Sequence, residues 1–413
     1  MKAMENPERG SAGQQQGAAM KKGWQTRNLG DLCDVVGGGT PPKDKPAFYS
    51  GEIPWATVRD MRQDVITETE FRITKDAVKS SATNIIRSGN VVIATRVGLG
   101  KVCLLGQDTA INQDLRGIVP RSEKTLVVRY LYWWLKSIAD VIIAEGTGAT
   151  VQGVKLPFVK SLQLPVPPLA EQQRIVGLLD DAFEGLATAK ANAEKNLQNA
   201  RALFESHLQS VFTHRGPGWV DRTLDQVCIV ERGSSPRPIK EYFTTEPDGV
   251  NWIKIGDTEE GGKYVYSTGQ KITPEGAKQS RFVKEGDFIL TNSMSYGRPY
   301  IMKTSGYIHD GWFVLRLNMA IDRDYFYYLL ASPVVQLQFA ALASGSVVKN
   351  ISGDLVKKAI LPIPPLEHQH VIVEKLMALE EETQRLARLY ERKLAALAAL
   401  KKSLLHQAFT GEL

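Results

Sequence analysis

Leu164-Pro165-Val166-Pro167-Pro168-Leu169-Ala170-Glu171-Gln172-Gln173-Arg174-Ile175-Val176 occurs twice in this chain, returning as Leu361-Pro362-Ile363-Pro364-Pro365-Leu366-Glu367-His368-Gln369-His370-Val371-Ile372-Val373. Proline fixes its own φ and drives the residue before it out of the helical region, so each copy begins as a stiff, extended lead-in. A Gln-containing turn then opens a long run of apolar residues at helical spacing. The separation of the copies is too large for a solenoid repeat and about that of a domain, so the chain reads as a duplication.

Working outward, both units open alike: Gly23-Trp24 runs to Leu32-Cys33, and Gly218-Trp219 runs to Val227-Cys228. Gly-rich loops with Pro and a cation follow, Gly37-Gly38-Gly39-Thr40-Pro41-Pro42-Lys43 against Gly233-Ser234-Ser235-Pro236-Arg237-Pro238. The next strands carry Trp55 and Trp252, for which a core position is the preferred reading. Residues 56–88 and 253–285 share little. The units converge again at Gly89–Thr95 and Gly286–Asn292, each a buried strand running into a loop that ends in glycine and a cation, Gly100-Lys101 and Gly297-Arg298. Tyr130-Leu131-Tyr132-Trp133-Trp134-Leu135 and Tyr325-Phe326-Tyr327-Tyr328-Leu329-Leu330 predict short aromatic helices that face a core rather than stack on bases. Polar turns at Gly146–Ala149 and Ser344–Val347 lead back to the prolines. Short strands and helices between Gly and Pro turns imply an α+β domain of about 140 residues, used twice.

Beyond each proline stretch, apolar residues fall at steps of three and four, from Ile175 to Val211 and from Leu376 to Leu404, and both runs end in Phe-Thr. Each stripe must pack on something, most simply on the other. Connectivity makes such a pair antiparallel. About 33 residues at 1.5 Å each give a rod of roughly 50 Å, and Ala182, Ala189, Ala193 and Ala200 let the axes approach.

Composition narrows the function. Hydrophobic residues at 43% and charged residues at 23% fit a soluble globular protein of two or three domains. No segment reaches the roughly 18 unbroken apolar residues of a membrane span. Residues 1–22 read as a disordered leader without an export signal. Three cysteines are an odd number without metal spacing, which favours reduced thiols in a cytoplasm. A net charge of +6 permits a polyanionic partner without requiring one.

Catalytic signals are missing. No Gly-x-Gly-x-x-Gly or Walker loop is present, nor an Asn-Pro-Pro-aromatic or Asp-Pro-Pro-aromatic motif. His368-x-His370 opens a helix with no Cys or carboxylate at metal spacing, and Asp180-Asp181 and Glu380-Glu381-Glu382 read as solvated helix faces. What remains is two similar, non-identical heads with cationic glycine loops, suited to reading two short, different segments of one DNA duplex. The rival readings are a non-DNA-binding two-headed scaffold that dimerises a partner protein, and an enzyme with an unfamiliar site.

The repeated order of opening Trp, Gly-rich loop, strand with Trp, glycine-cation loop, Leu-Pro-x-Pro-Pro-Leu-x-x-Gln and long helix resembles the specificity subunit of type I restriction-modification systems. Gln407-Ala408-Phe409-Thr410-Gly411-Glu412-Leu413 resembles that family's usual ending. The resemblance covers Trp24 to Leu413. It implies an α+β fold of two tandem, pseudo-two-fold related α/β target-recognition domains separated by two long antiparallel, coiled-coil-like helices. The expected bounds are 23–163 and 216–360 for the domains and 164–215 and 361–413 for the spacers. It further implies a non-catalytic subunit that reads a bipartite, asymmetric sequence in double-stranded DNA, with the helices acting as a ruler. Two methyltransferase subunits and the restriction subunits would dock on it. The chain itself would hold no cofactor, S-adenosylmethionine, ATP and Mg being expected on the partners. The leader has no place in that pattern, and Glu367-His368-Gln369-His370 departs from the usual Ala-Glu-Gln-Gln kept at Ala170–Gln173. For contact with bases or backbone the reading selects Thr40, Lys43, Arg59, Arg96 and Lys101 in the first head. In the second it selects Arg237, Lys254, Asn292, Ser293, Tyr296, Arg298 and Lys349. For each, a solvated charge or polar group is the alternative.

Overall fold

The computed structural model describes residues 21–147, 153–259, 261–292, 297–343 and 351–413. The chain divides into two compact units, Met1–Asn192 together with Lys393–Leu413, and Ala193–Arg392. Each unit takes in a stretch of both long helices.

In the first unit a five-stranded sheet has the order Cys33–Gly37, Leu115–Pro120, Val91–Ala94, Val102–Leu105, Val65–Ile66. Its central strand, Val91–Ala94, is buried at every position and pairs antiparallel on both sides. A second sheet runs Phe71–Ile73, Ile53–Ala56, Thr109–Ile111, Asn84–Ile86. The second unit repeats the first sheet as Cys228–Arg232, Trp312–Leu317, Phe288–Thr291, Pro299–Met302, Tyr264–Val265. Its other sheet runs Phe243–Thr244, Gln270–Ile272, Val250–Ile253, Gly306–Ile308, Arg281–Val283, one edge strand more than its counterpart. Residues 56–88 and 253–285, which share little sequence, therefore share a topology.

The aromatic helices Val128–Ser137 and Arg323–Ala331 are core, with Tyr130–Leu135 and Tyr325–Leu330 all buried. Each large apolar side chain so buried contributes roughly 1.5–3 kcal/mol, enough to fix the helix on its sheet. Trp55 and Trp252 are 6% and 2% exposed, as the core reading expects.

The proline stretch owes its repetition to what it docks. Its lead-in is a strand, Gln163–Val166 or Ile360–Ile363, paired antiparallel with the opening strand of its unit, Gln25–Asn28 or Val220–Thr223. The Tyr130 hydroxyl donates to the Pro165 carbonyl at 2.9 Å and the Tyr325 hydroxyl to the Pro362 carbonyl at 2.7 Å. Gln172 is fully buried. Its Oε1 accepts the Val127 N–H at 2.9 Å, and its Nε2 donates to the Thr125 and Pro167 carbonyls, both at 2.9 Å. Gln369 repeats the grip on the Asp322 N–H at 2.8 Å and the Pro364 carbonyl at 2.9 Å. Each carboxamide thus ties the start of a long helix to the start of the aromatic helix.

The long helices are Leu169–Thr213 and Leu366–Thr410, 45 residues each. That exceeds the expected 33 because helix begins directly after the prolines and runs through the Phe-Thr end. Within the first unit the helix stretches run antiparallel: Arg174 donates to the Leu413 carbonyl at 2.7 Å, while Lys401 lies over the Phe183 ring at 5.1 Å. Within the second, Arg201 pairs with Glu391 at 2.9 Å, while Phe212 shares a core with Val373 and Leu376. Asp180 and Glu380 are not plain solvated acids. Asp180 accepts from Trp133 Nε1 at 2.7 Å and from Arg129 at 2.9 Å, and Glu380 accepts the Tyr328 hydroxyl at 2.5 Å. Each fastens a long helix to its head. Glu382, exposed and paired with Arg385 one turn on, keeps the solvated role.

Two outcomes follow from this packing. Gln172→Ala or Gln369→Ala leaves the half-buried N–H of Val127 or Asp322 and the buried carbonyl of Pro167 or Pro364 without this partner, which costs roughly 1–3 kcal/mol. A lowered denaturation midpoint of the affected unit is the expected reading, and an unchanged midpoint contradicts the clamp. All three cysteines are buried free thiols. Burial pushes Cys33 and Cys228 up to about 12 and Cys103 up to about 11. Because the thiolate is the reactive form, native protein at pH 8 should resist a thiol reagent that labels all three in denaturant. Rapid native labelling would contradict the burial.

Candidate nucleic-acid interface

The glycine loop of the first head is built for a close approach. A Cβ on Gly38 would lie 2.0 Å from the Asn112 carbonyl oxygen, so only glycine lets the loop pass beneath the turn 112–114. The Gly39 N–H donates to the Ile111 carbonyl at 3.0 Å, and the Gly39 carbonyl accepts the Trp55 indole N–H at 3.2 Å. Thr40 then comes level with the turn and its hydroxyl donates to Gln113 Oε1. From the other side, the Thr95 N–H donates to the Asp114 carbonyl at 2.8 Å, and Arg96 stands 3.8 Å from the Asp114 carboxylate. Lys101, after Gly100 at φ +83°, reaches the Val58 carbonyl at 3.5 Å, beside exposed Arg59, which pairs with Glu70 at 3.5 Å. Lys43 is exposed at the end of the glycine loop. Thr40 and Arg96 therefore meet on the turn 112–114, and Lys101 and Arg59 meet on the neighbouring loop.

The second head is assembled the same way. A Cβ on Gly233 would lie 2.1 Å from the His309 carbonyl oxygen. The Ser235 hydroxyl donates to Asp310 Oδ1 at 2.7 Å, and Arg237, 81% exposed, lies 3.4 Å from Oδ2. The hydrogen bond from Ser235 holds the Asp310 carboxyl below its usual range. His309 is pushed down by burial, and its Nδ1 accepts the Gly311 N–H at 2.8 Å. Lys254 is half-buried, and its backbone N–H donates to the Asp257 carboxylate at 2.7 Å. Arg298 is half-buried after Gly297, and its N–H donates to the Thr291 hydroxyl at 3.0 Å.

Asn292 stands apart. It is 1% exposed and its Nδ2 donates to the Asp310 carbonyl at 2.7 Å, so its side chain supports the turn from inside. Ser293, Tyr296 and Lys349 lie outside the described residues. The sequence reading missed the two residues on which the loops converge, Gln113 and Asp310. Their neighbouring strands were legible, but the contacts that single them out cross 73 and 75 residues of chain. His370, half of the most ligand-like sequence pair, lies 3.6 Å from Asp322, and no group of three or more metal-ligating side chains occurs among the described residues. No described helix is long and apolar enough to cross a membrane.

Comparison with known proteins agrees with this duplicated architecture. The family model described as the type I restriction modification DNA specificity domain matches twice, at residues 21–197 and 217–391. The EcoR124I/EcoR124II specificity subunit of Escherichia coli is 35% identical over 164 residues, which are 38% of this chain and 40% of that protein. The MjaIX specificity subunit of Methanocaldococcus jannaschii is 24% identical over 385 residues, covering 86% of this chain and 87% of the other. Among solved structures, a chain from work on complex assembly and conformational transition of the type I R-M system superposes with a TM-score of 0.82 at 20% identity, covering 96% of this chain and 100% of that one. The HsdS subunit from Thermoanaerobacter tengcongensis gives a TM-score of 0.63 at 20% identity, covering 96% and 99%. Both structures bear on the fold alone. With two specificity domains spanning most of its length, the chain belongs to the type I restriction-modification DNA specificity family.

Proposed function

We propose that this chain is the DNA-reading subunit of a type I restriction-modification enzyme, each head recognising one half of a bipartite, asymmetric sequence in double-stranded DNA. The observation that carries this reading is the pair of equivalent loop rims, 38–43 with 95–101 and 112–114, and 233–237 with 309–311. They share a frame and differ in the side chains they present. Phosphate contacts by Arg59, Arg96 and Lys101 in the first head, and by Arg237, Lys254 and Arg298 in the second, set register, and polar side chains on the turns specify bases. The chain performs no chemistry of its own. Methylation and cleavage belong to methyltransferase and restriction subunits that dock on it and bring S-adenosylmethionine, ATP and Mg, and the assembly works in the cytoplasm. Support for these partners comes from the family and from the EcoR124I/EcoR124II and MjaIX relatives, which are subunits of type I restriction enzymes.

Arg96→Ala and Arg298→Ala, each assembled with the methyltransferase subunits, should form complete complexes that bind DNA about tenfold more weakly. Loss of a phosphate contact lowers the slope of log affinity against log salt by about 1. Mobility shifts at several salt concentrations read both quantities. Unchanged affinity at every salt concentration contradicts a role for these two residues, and retention that ignores DNA sequence in the wild-type complex favours the scaffold reading.

A further inference from the structure

The turns Asn112-Gln113-Asp114 and His309-Asp310-Gly311 occupy one place in the two heads. Each follows a strand paired in parallel with the Trp-bearing strand, through Ala56 with Ile111 and Ile253 with Ile308. Each feeds a strand that lies against the buried central strand of its head. The glycine that passes beneath is Gly38 in one and Gly233 in the other, and two residues later a hydroxyl turns back onto the middle residue of the turn. Gln113 and Asp310 are therefore the same position, held by the same device.

Neither side chain is consumed by burial. Gln113 is exposed, and the Asp310 side chain keeps 43% of its accessible surface. A polar group fixed along one edge and open along the other has little rotamer freedom left to lose on binding, which is what a reading group needs. Their chemistries differ in a way that matters to base edges. A carboxamide offers a donor and an acceptor together, matching the N6 amino group and N7 of adenine in the major groove. A carboxylate only accepts, matching the N4 amino group of cytosine. Near phosphates a lone carboxylate is repelled, and Arg237 at 3.4 Å offsets that charge. In the first head Arg116 braces the turn instead, through the Gln113 carbonyl at 3.2 Å.

We propose that Gln113 and Asp310 are specificity-determining residues at matching positions of the two half-sites, Gln113 reading adenine and Asp310 reading a cytosine amino group, with Thr40 and Ser235 as positioning residues. This rests on the DNA-reading function proposed above.

The test uses the complex of the full chain with its methyltransferase subunits, and duplexes carrying its recognised sequence with every single base-pair substitution. Gln113→Glu and Asp310→Asn keep shape and exchange hydrogen-bonding character. Asp310→Asn should move the preference at one base pair of one half-site from cytosine towards adenine by about tenfold in relative affinity, leaving the other half-site as it was. Gln113→Glu should do the reverse in the other half. Ser235→Ala should blur discrimination at the pair that Asp310→Asn alters, and Ser235→Thr should restore it; this pair decides the matter if an isosteric variant fails to fold. Uniform weakening on all duplexes, or an unaltered preference profile, overturns the assignment. A wild-type complex that does not discriminate among the duplexes overturns the DNA-reading function itself, whereas a discriminating wild type with unaltered variants overturns the assignment alone.

Discussion

A single buried carboxamide per unit holds the architecture together. Gln172 and Gln369 sit where an extended proline segment becomes helix, a junction with backbone N–H and carbonyl groups that neither element can satisfy. By accepting from the chain that leads into the aromatic helix and donating to the proline segment, each glutamine fixes the direction in which a long helix leaves its head. The prolines keep the lead-in extended so that its strand pairs with the opening strand of the unit. Tyr130 and Tyr325 add a second tie from the core. The glutamine is the one polar side chain in the motif that is buried in both copies, 0% and 2% exposed, while its neighbours Glu171 and Glu367 remain accessible.

This division of labour explains what the sequence made legible. Duplication, the α+β class, the aromatic cores and the long helices are written in periodicity and in proline and glycine positions, and both units show them. Helix length was under-read because the apolar stripe was followed only from Ile175 and Leu376, whereas helix already begins at Leu169 and Leu366 and continues to Thr213 and Thr410. Asp180 and Glu380 looked like solvated acids because nothing local reveals the Trp133, Arg129 and Tyr328 donors waiting on another element. Asn292 was selected for contact because it ends a strand where a loop begins; only the fold shows its amide turned inward onto Asp310. Gln113 and Asp310 escaped for the opposite reason, being ordinary polar turn residues until Thr40 and Ser235 arrive from far along the chain.

The same physics separates frame from variable surface. Close backbone approaches at Gly38 and Gly233 and the left-handed turns at Gly100 and Gly297 admit only glycine without rearrangement, so they fix the backbone at matching points of the two heads. Side chains displayed on those loops meet no such constraint. A protein that must read two unlike words with two like heads needs this arrangement: an invariant scaffold under a few exchangeable polar groups.

The most direct test of that account is the methylation pattern of a host that carries this chain and its methyltransferase subunits, compared with the same host lacking the chain. Two short specified blocks, unlike each other and separated by a fixed unspecified gap, with methylation disappearing when the chain is removed, are the expected result. One continuous specified block, or methylation that persists without the chain, would contradict it.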